Sequence, residues 1–227
     1  DMSMIFFQGA AGNINATSRL DVEEHDLTFR EYGNVLSGQI VMAIEAGVLT
    51  AQQPGLWQVD HYTYTAMVDH TDDDRYEEAA AFVKEYYEQF PGNQASQRVR
   101  LAWCAARGWT CVFEASAIVN RAQMGKTKEI PLNTLALGNT LALYTAPGEL
   151  FDTVSVELEE ASPFRMTFCI GYSMDTQKYF AYDPNNGGVM TYESYEGFNH
   201  NFVAPATILD MISYWKTTLK RLYETAQ

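Results

Sequence analysis

The chain has 227 residues, 47% of them apolar and 19% charged, an ordinary globular composition long enough to bury a substantial core. Its net charge of -14 repels phosphate backbones and anionic membrane surfaces, which excludes nucleic acid as a partner. No apolar run reaches the ~18 residues of a membrane span, and none of these residues reads as a signal peptide, which means little in a chain that opens on Asp1. Cys104, Cys111 and Cys169 lack any C-x-x-C spacing, which excludes a zinc ribbon and a thioredoxin-like motif. Cys104 and Cys111 can pair only in an oxidising compartment, and the sequence assigns no compartment. The chain opens on Asp1 rather than an initiator methionine, so its natural start is expected elsewhere.

In chain order, Met4–Phe7 reads as a buried strand running into the small-residue turn Gln8–Gly12, where backbone can approach a ligand closely. Thr28 and Glu31 have capping-box spacing. Tyr32, Val35, Leu36, Ile40, Ala43 and Ile44 then recur at helical intervals, with Gly47 as the stop. Trp57–Val68 reads as one or two strands. Asp72, Asp73 and Asp74 open a second helix and oppose its macrodipole. Its inward face is Tyr76, Ala79, Ala80, Val83, Tyr86, Tyr87 and Phe90, and Pro91-Gly92 ends it. Arg98–Cys104 and Thr110–Ala117 are further short elements. Leu141–Tyr144 (strand), Ala146–Glu149 (turn), Leu150–Glu160 (helix) and Arg165–Tyr172 (strand) form a β-α-β unit, which predicts parallel strands joined by a right-handed crossover. Glu149 and Gly171-Tyr172-Ser173 then lie just past strand carboxyl ends, where open α/β sheets bind ligands. Asp183–Gly188 is a loop, and Ala206–Ala226 is an amphipathic helix with Ile208, Ile212, Trp215, Leu219 and Leu222 inward. Internal repeats and linker-like tracts are absent, so residues 1–227 are expected to form one α/β unit.

The generic catalytic motifs are missing: there is no G-x-S-x-G, no Walker A loop, no G-x-G-x-x-G after a strand and no H-E-x-x-H. His25, His61, His70 and His200 are scattered and read as surface or structural residues. Asn15-Ala16-Thr17 fits the glycosylation pattern, which matters only in a eukaryotic secretory context. Three other segments are more informative. They are Phe7-Gln8-Gly9-Ala10-Ala11-Gly12-Asn13-Ile14-Asn15, Ala146-Pro147-Gly148-Glu149-Leu150-Phe151 and Gly171-Tyr172-Ser173-Met174-Asp175-Thr176-Gln177-Lys178-Tyr179.

In this order the three segments resemble the neutral/alkaline ceramidases and their bacterial ceramidase-like relatives. The family patterns are Q-G-A-A-G-D-I-N-P, P-G-E-[FL]-[FT] and G-[YL]-x-N-x-Y-x-x-Y. Tyr195-Glu196 and Phe202–Pro205 also look family-like, and the resemblance runs from about Met4 to Leu222. It implies the C-terminal half of a larger domain, with a mixed or mostly parallel sheet flanked by helices. It also implies a zinc-dependent hydrolase of amide (N-acyl) bonds, active in lipid metabolism. Two histidines, one glutamate and one tyrosine hold the family's zinc; Glu149 matches the glutamate and Tyr179 the tyrosine. Both histidines precede the first motif in the family, so they fall outside this chain. The fragment is therefore expected to be inactive alone and to associate with that upstream half or with itself. Asn15 stands where ceramidases proper have a catalytic serine. Asparagine cannot act as that nucleophile, but with the backbone near Gly12 and Asn13 it can donate to a developing oxyanion. The competing expectation is a degenerate, non-catalytic module binding a lipid or carbohydrate.

Overall fold

The computed structural model describes residues 5–14, 29–47, 55–174, 179–180, 182, 202–204 and 206–226. Among them the fold is α/β, with helices on one face of a mixed sheet. Strand β1 (Trp57–Met67) pairs antiparallel with β2 (Thr127–Leu137), which pairs antiparallel with β3 (Leu141–Thr145). A two-residue strand, β4 (Glu149–Leu150), and a helix follow β3 before the chain returns as β5 (Met166–Ile170), parallel to β3. The sheet order is β1-β2-β3-β5. The β-α-β unit expected from the sequence is present with its parallel pairing. β4 pairs separately, in parallel, with β6 (Tyr179–Phe180).

Six α-helices are described: α1 (Phe29–Glu45), α2 (Tyr76–Gln89), α3 (Gln97–Ala105), α4 (Val112–Ala122), α5 (Asp152–Ala161) and α6 (Thr207–Thr225). Helix α6 presents the expected face, with Ile208, Ile212, Trp215, Leu219 and Leu222 all buried. With α5 it covers one side of the sheet. Val154, Leu158, Met211 and Trp215 pack there on Ala66, Ile130, Leu132, Tyr144 and Cys169. The Tyr144 and Trp215 rings lie 5.1 Å apart.

Residues 68–126, between β1 and β2, form a helical module with its own aromatic core. Phe82 packs on Trp103 and Trp109, at ring separations of 5.5 and 5.2 Å, and Tyr86 and Phe90 complete the cluster. Of the predicted inward set, Ala79, Tyr86 and Phe90 are buried and Val83 packs against them, whereas Phe82, outside that set, is buried and Tyr87 is exposed. Tyr87 follows Tyr86 by one residue, which rotates it away from the core, and it stands edge-on to Tyr86 at 5.3 Å. Cys104, Cys111 and Cys169 are free and buried.

On the other face of the sheet several apolar residues are exposed. Register partners point to the same side of a sheet. Trp57, Leu137, Leu141 and Met166 thus form one apolar row across four strands, and Val59, Leu135, Leu143 and Phe168 form a second. Val59 is 70% exposed, Trp57 61% and Phe168 50%. Beyond the second row, His61 Nδ1 lies 2.6 Å from Asn133 Oδ1, and Thr145 Oγ1 accepts the Asn133 N–H at 2.9 Å.

One expectation of burial is corrected. Ile5, Phe6 and Phe7, the described part of the predicted first strand, are exposed and form no ladder. Just past β5, Gly171 N–H donates to Gln8 O at 2.8 Å. Between it and β5 lies a cleft of about 420 Å³ lined by Phe6, Phe7, Leu143 and Phe168. Helix α1 forms where the apolar spacing predicts, and Gly47 closes it at φ 65°. Its Val35, Leu36 and Ile44 are nonetheless exposed, because amphipathic spacing shows which face seeks cover and not whether cover is at hand.

Trp215→Ala should destabilise the fold by about 3–5 kcal/mol, the usual cost of a large cavity in a packed core. Leu209→Ala, on the exposed side of α6, should stay within about 0.5 kcal/mol of wild type. Urea unfolding followed by tryptophan fluorescence and circular dichroism measures both.

Candidate active site

Three segments distant in sequence meet beyond the carboxyl ends of β3 and β5. The turn after β3 carries Gly148 and Glu149, and the turn after β5 carries Gly171–Met174. Tyr172 N–H donates to Gly148 O and Ser173 N–H to Ala146 O, both at 3.1 Å, so the two turns are laced together. The Ser173 hydroxyl adds a bond to Ile170 O at 2.7 Å.

The third segment, Gln8–Ile14, lies against both turns because two glycines allow it. A Cβ on Gly12 would sit 2.7 Å from Glu149 O and 2.9 Å from the Phe151 ring. A Cβ on Gly171 would sit 2.6 Å from Gly9 O. Any side chain at either position would force backbone apart. Gly12 N–H uses the approach to donate to Leu150 O at 2.9 Å.

Asn13 fixes the same loop to α5. A helix leaves its first N–H groups without intrahelical acceptors, and the N-cap residue Phe151 offers no side-chain acceptor. Asn13 Oδ1 accepts the Asp152 N–H at 2.9 Å, and Asn13 Nδ2 donates to Asp152 Oδ1 at 2.7 Å. The cap is thus supplied by a residue 139 positions upstream. Gly12 and Asn13, expected near a substrate oxygen, are here engaged with β4 and the start of α5. Asn15 lies outside the described residues, as do Asp175–Lys178, Tyr195, Glu196, His25 and His200.

Glu149 and Tyr179, the two residues matched to metal ligands, are register partners in the β4–β6 ribbon. Both are half-buried, and as partners in a parallel pair their side chains leave the ribbon on the same side. A carboxylate and a phenol on one side of a ribbon offer two oxygen donors. That is part of the mixed nitrogen and oxygen shell zinc accepts, and less than the three protein ligands a catalytic zinc requires. No group of three or more His, Cys, Asp and Glu side chains that could hold a metal exists among the described residues. His70 is engaged in the helical module, on Asp73 at 2.9 Å and Gly125 O at 3.2 Å.

The sequence reading placed Tyr172 beyond the end of β5 but did not single it out. Its phenol pKa is raised, chiefly by burial and then by the neighbouring Glu149 carboxylate. Tyr172 adopts φ 54° and Met174 φ 72°. Side chains other than glycine rarely hold these left-handed values, at a cost of about 1–3 kcal/mol each. The available signal was position: an aromatic residue straight after a strand whose parallel neighbour leads to a glutamate.

The loop attachment can be tested apart from any activity. Asn13→Ala should lower stability by about 0.5–2 kcal/mol, the range for loss of an N-cap acceptor. Gly12→Ala should lower it further, because backbone and an aromatic ring must both move. Chemical denaturation of the two variants beside wild type gives the ranking.

No family model matches the chain, and no curated protein matches it. Among solved structures, 97% of the chain is similar to a neutral ceramidase from Pseudomonas aeruginosa, at 19% identity and a TM-score of 0.47. A second, a ceramidase complexed with C2, is similar to 39% of the chain at 21% identity and a TM-score of 0.27. The chain spans 37% of the length of the first and 13% of the second.

Proposed function

We propose that this chain is part of a zinc-dependent hydrolase of amide (N-acyl) bonds, with Glu149 and Tyr179 as two of the metal ligands. The observation that carries the reading is convergence. The three family-like segments are separated by more than a hundred and by about twenty residues of chain, yet they touch at one place. That place lies beyond parallel strand ends, where α/β sheets bind ligands, and Glu149 and Tyr179 stand side by side there.

Zinc, when bound, lowers the pKa of a coordinated water to about 7 and polarises the scissile carbonyl. This chain's own residues provide the frame. Glu149 and Tyr179 contribute oxygen donors from a hydrogen-bonded ribbon, which limits their relative movement. Gly12 and Asn13 anchor the loop that leads into Asn15. The Asn15 amide N–H donates to the oxygen that gains charge as the amide carbon becomes tetrahedral. The two remaining ligands are histidines supplied by a segment outside these 227 residues.

That segment, or a second copy where it is absent, also covers the open sheet face. In its two apolar rows Trp57, Val59 and Phe168 are exposed and the other five residues half-buried, and apolar area left in water costs about 25 cal/mol per Å². Exposed apolar patches on soluble proteins mark interaction surfaces.

Glu149→Gln in the full-length protein should abolish both zinc retention and N-acyl hydrolysis, and Tyr179→Phe should weaken both. Elemental analysis with an amide-substrate screen tests this; unchanged zinc and activity in Glu149→Gln would refute the assignment. If zinc is never taken up but lipid or carbohydrate binds, the chain is a non-catalytic binding module. For the open face, residues 1–227 alone should self-associate in sedimentation experiments, and Val59→Lys with Phe168→Glu should make them monomeric. Monomeric behaviour of the unaltered chain at high concentration would count against a covered face.

A further inference from the structure

We propose that residues 1–227 on their own pair through the β1–β2 hairpin with a second copy, across a two-fold axis at Val59, so that Trp57 of each copy donates its indole N–H to His61 Nε2 of the other. The inference rests on the reading that a second copy covers this face where the upstream segment is absent, and it adds the orientation of that copy. It is independent of the hydrolase reading.

Alternate residues of a strand share a face, so the successive outward positions of β1 are Trp57, Val59 and His61. Their register partners on β2 are Leu137, Leu135 and Asn133. Along β1 this is a donor, an apolar residue and an acceptor at even spacing. An indole offers a donor only. Trp57 is exposed, and its Nε1 has no acceptor among the described residues. His61 is an acceptor because of what holds its other ring nitrogen. Nδ1 lies 2.6 Å from Asn133 Oδ1. Thr145 orients that amide: its Oγ1 accepts the Asn133 backbone N–H at 2.9 Å and the Nδ2 hydrogen at 3.5 Å. Oδ1 therefore faces the imidazole and can only accept. In the neutral ring Nδ1 then carries the hydrogen and Nε2 keeps its lone pair. The ring is exposed and held from β2 and β3, which leaves Nε2 directed at whatever lies above the face.

A two-fold axis between the facing sheets, perpendicular to β1 at Val59, sends position 57 to position 61 and position 59 to itself. In such an isologous contact residue i meets j and j meets i, so both Trp–His pairs form together. Val59 and Leu135 meet their own images. Leu137 meets Asn133, whose amide is already bonded to His61 and Thr145. Sheets packed face to face stand about 10 Å apart, a gap that an indole and an imidazole span from opposite sides. Charge selects the same region. A chain of net charge -14 repels its own copies, so a self-contact needs a surface without acids. The outward residues Trp57, Val59, His61 and Thr63, with Pro131, Asn133, Leu135 and Leu137 opposite them, include none. The first acid along this face of the hairpin is Glu129, opposite Thr65 and bonded to it at 2.8 Å. The axis carries it past the start of the other copy's β1.

Sedimentation velocity of residues 1–227 over a concentration series tests the pairing, with circular dichroism confirming that each variant keeps its fold. Trp57→Lys alone and His61→Glu alone each set an uncompensated charge in the contact and should weaken dimerisation by at least about tenfold. Trp57→Lys combined with His61→Glu should return to within about threefold of the unaltered chain, because each new cation then faces a new carboxylate of the other copy. Inside one copy the two positions are about 13 Å apart along the strand, so the recovery cannot arise there. A double variant no stronger than the weaker single, in a chain that dimerises, would overturn the orientation. Dimerisation unchanged in all three variants would place the self-contact elsewhere, leave this face to another segment and overturn the pairing too. A chain monomeric at every concentration would sink the pairing together with the covered face, and would leave the hydrolase reading untouched.

Discussion

The site depends on how closely backbone can approach backbone at two glycines. Gly12 lies against the Glu149 carbonyl and Gly171 against the Gly9 carbonyl, at separations no Cβ tolerates. These contacts hold the loop of Gln8–Ile14 against the turns after β3 and β5. Once there, Gly12 N–H bonds to Leu150 O and Asn13 caps α5. Capping and packing therefore reinforce each other. The helix needs an acceptor that its own N-cap residue lacks, and the loop needs an anchor. Without the glycines neither need is met, and the segment leading to Asn15 loses its fixed place beside Glu149.

Much of this was legible in the sequence, for reasons that differ from element to element. Helix α6 could be read because an amphipathic stripe of five large apolar residues has one sensible burial. The β3–α5–β5 unit could be read because its turn residues punctuate a strand, a helix and a strand at ordinary lengths. Strand β2 was missed altogether. It begins with Thr127, Lys128 and Glu129 and contains Pro131, features that argue against an internal strand. It is internal nonetheless: Pro131 is opposite Thr63 and lies just beyond the β2–β3 ladder, which runs from Thr134 to Leu137. The proline thus falls where β2 has a recorded neighbour on one side only. Asn13 as a cap for α5 was also illegible, because capping signals are read locally and this one crosses 139 positions. The nearness of Tyr172 to Glu149 was illegible for the same reason. The sequence shows that both residues follow strands, and only the parallel β3–β5 pairing brings those strand ends together.

The two faces of the sheet follow one rule with different results. Inward residues such as Ala66, Leu132 and Tyr144 meet α5 and α6 and lose their contact with water. Outward residues such as Val59, Leu135, Leu143 and Phe168 align just as well across the strands, yet Val59 and Phe168 stay exposed, and Leu143 and Phe168 meet Phe6 and Phe7 only across a cleft. Cross-strand alignment stabilises a sheet, but most of the available free energy comes from removing apolar area from water. Charge shapes the same surface. In a chain with 29 acidic residues, the two apolar rows carry none, which limits the repulsion that a covering layer of either sign would meet.

The donor chemistry of the ribbon joins this surface to the site. Carboxylate and phenol oxygens are hard ligands, and oxygen donors alone suit magnesium, calcium or manganese; imidazole nitrogens shift the preference toward zinc. On the proposed reading, Glu149 and Tyr179 fix where a metal sits, and the histidines that arrive with another segment decide which metal it is. A segment that must deliver two imidazoles to this point needs its own fixed position. The apolar face begins within reach of the site, since Thr145 ends β3 beside Ile170 and Glu149 follows four residues later. Covering that face and completing the metal shell would then be one event. Burial of the two rows would supply the free energy that orders the histidines, so metal affinity and association between the segments would rise and fall together.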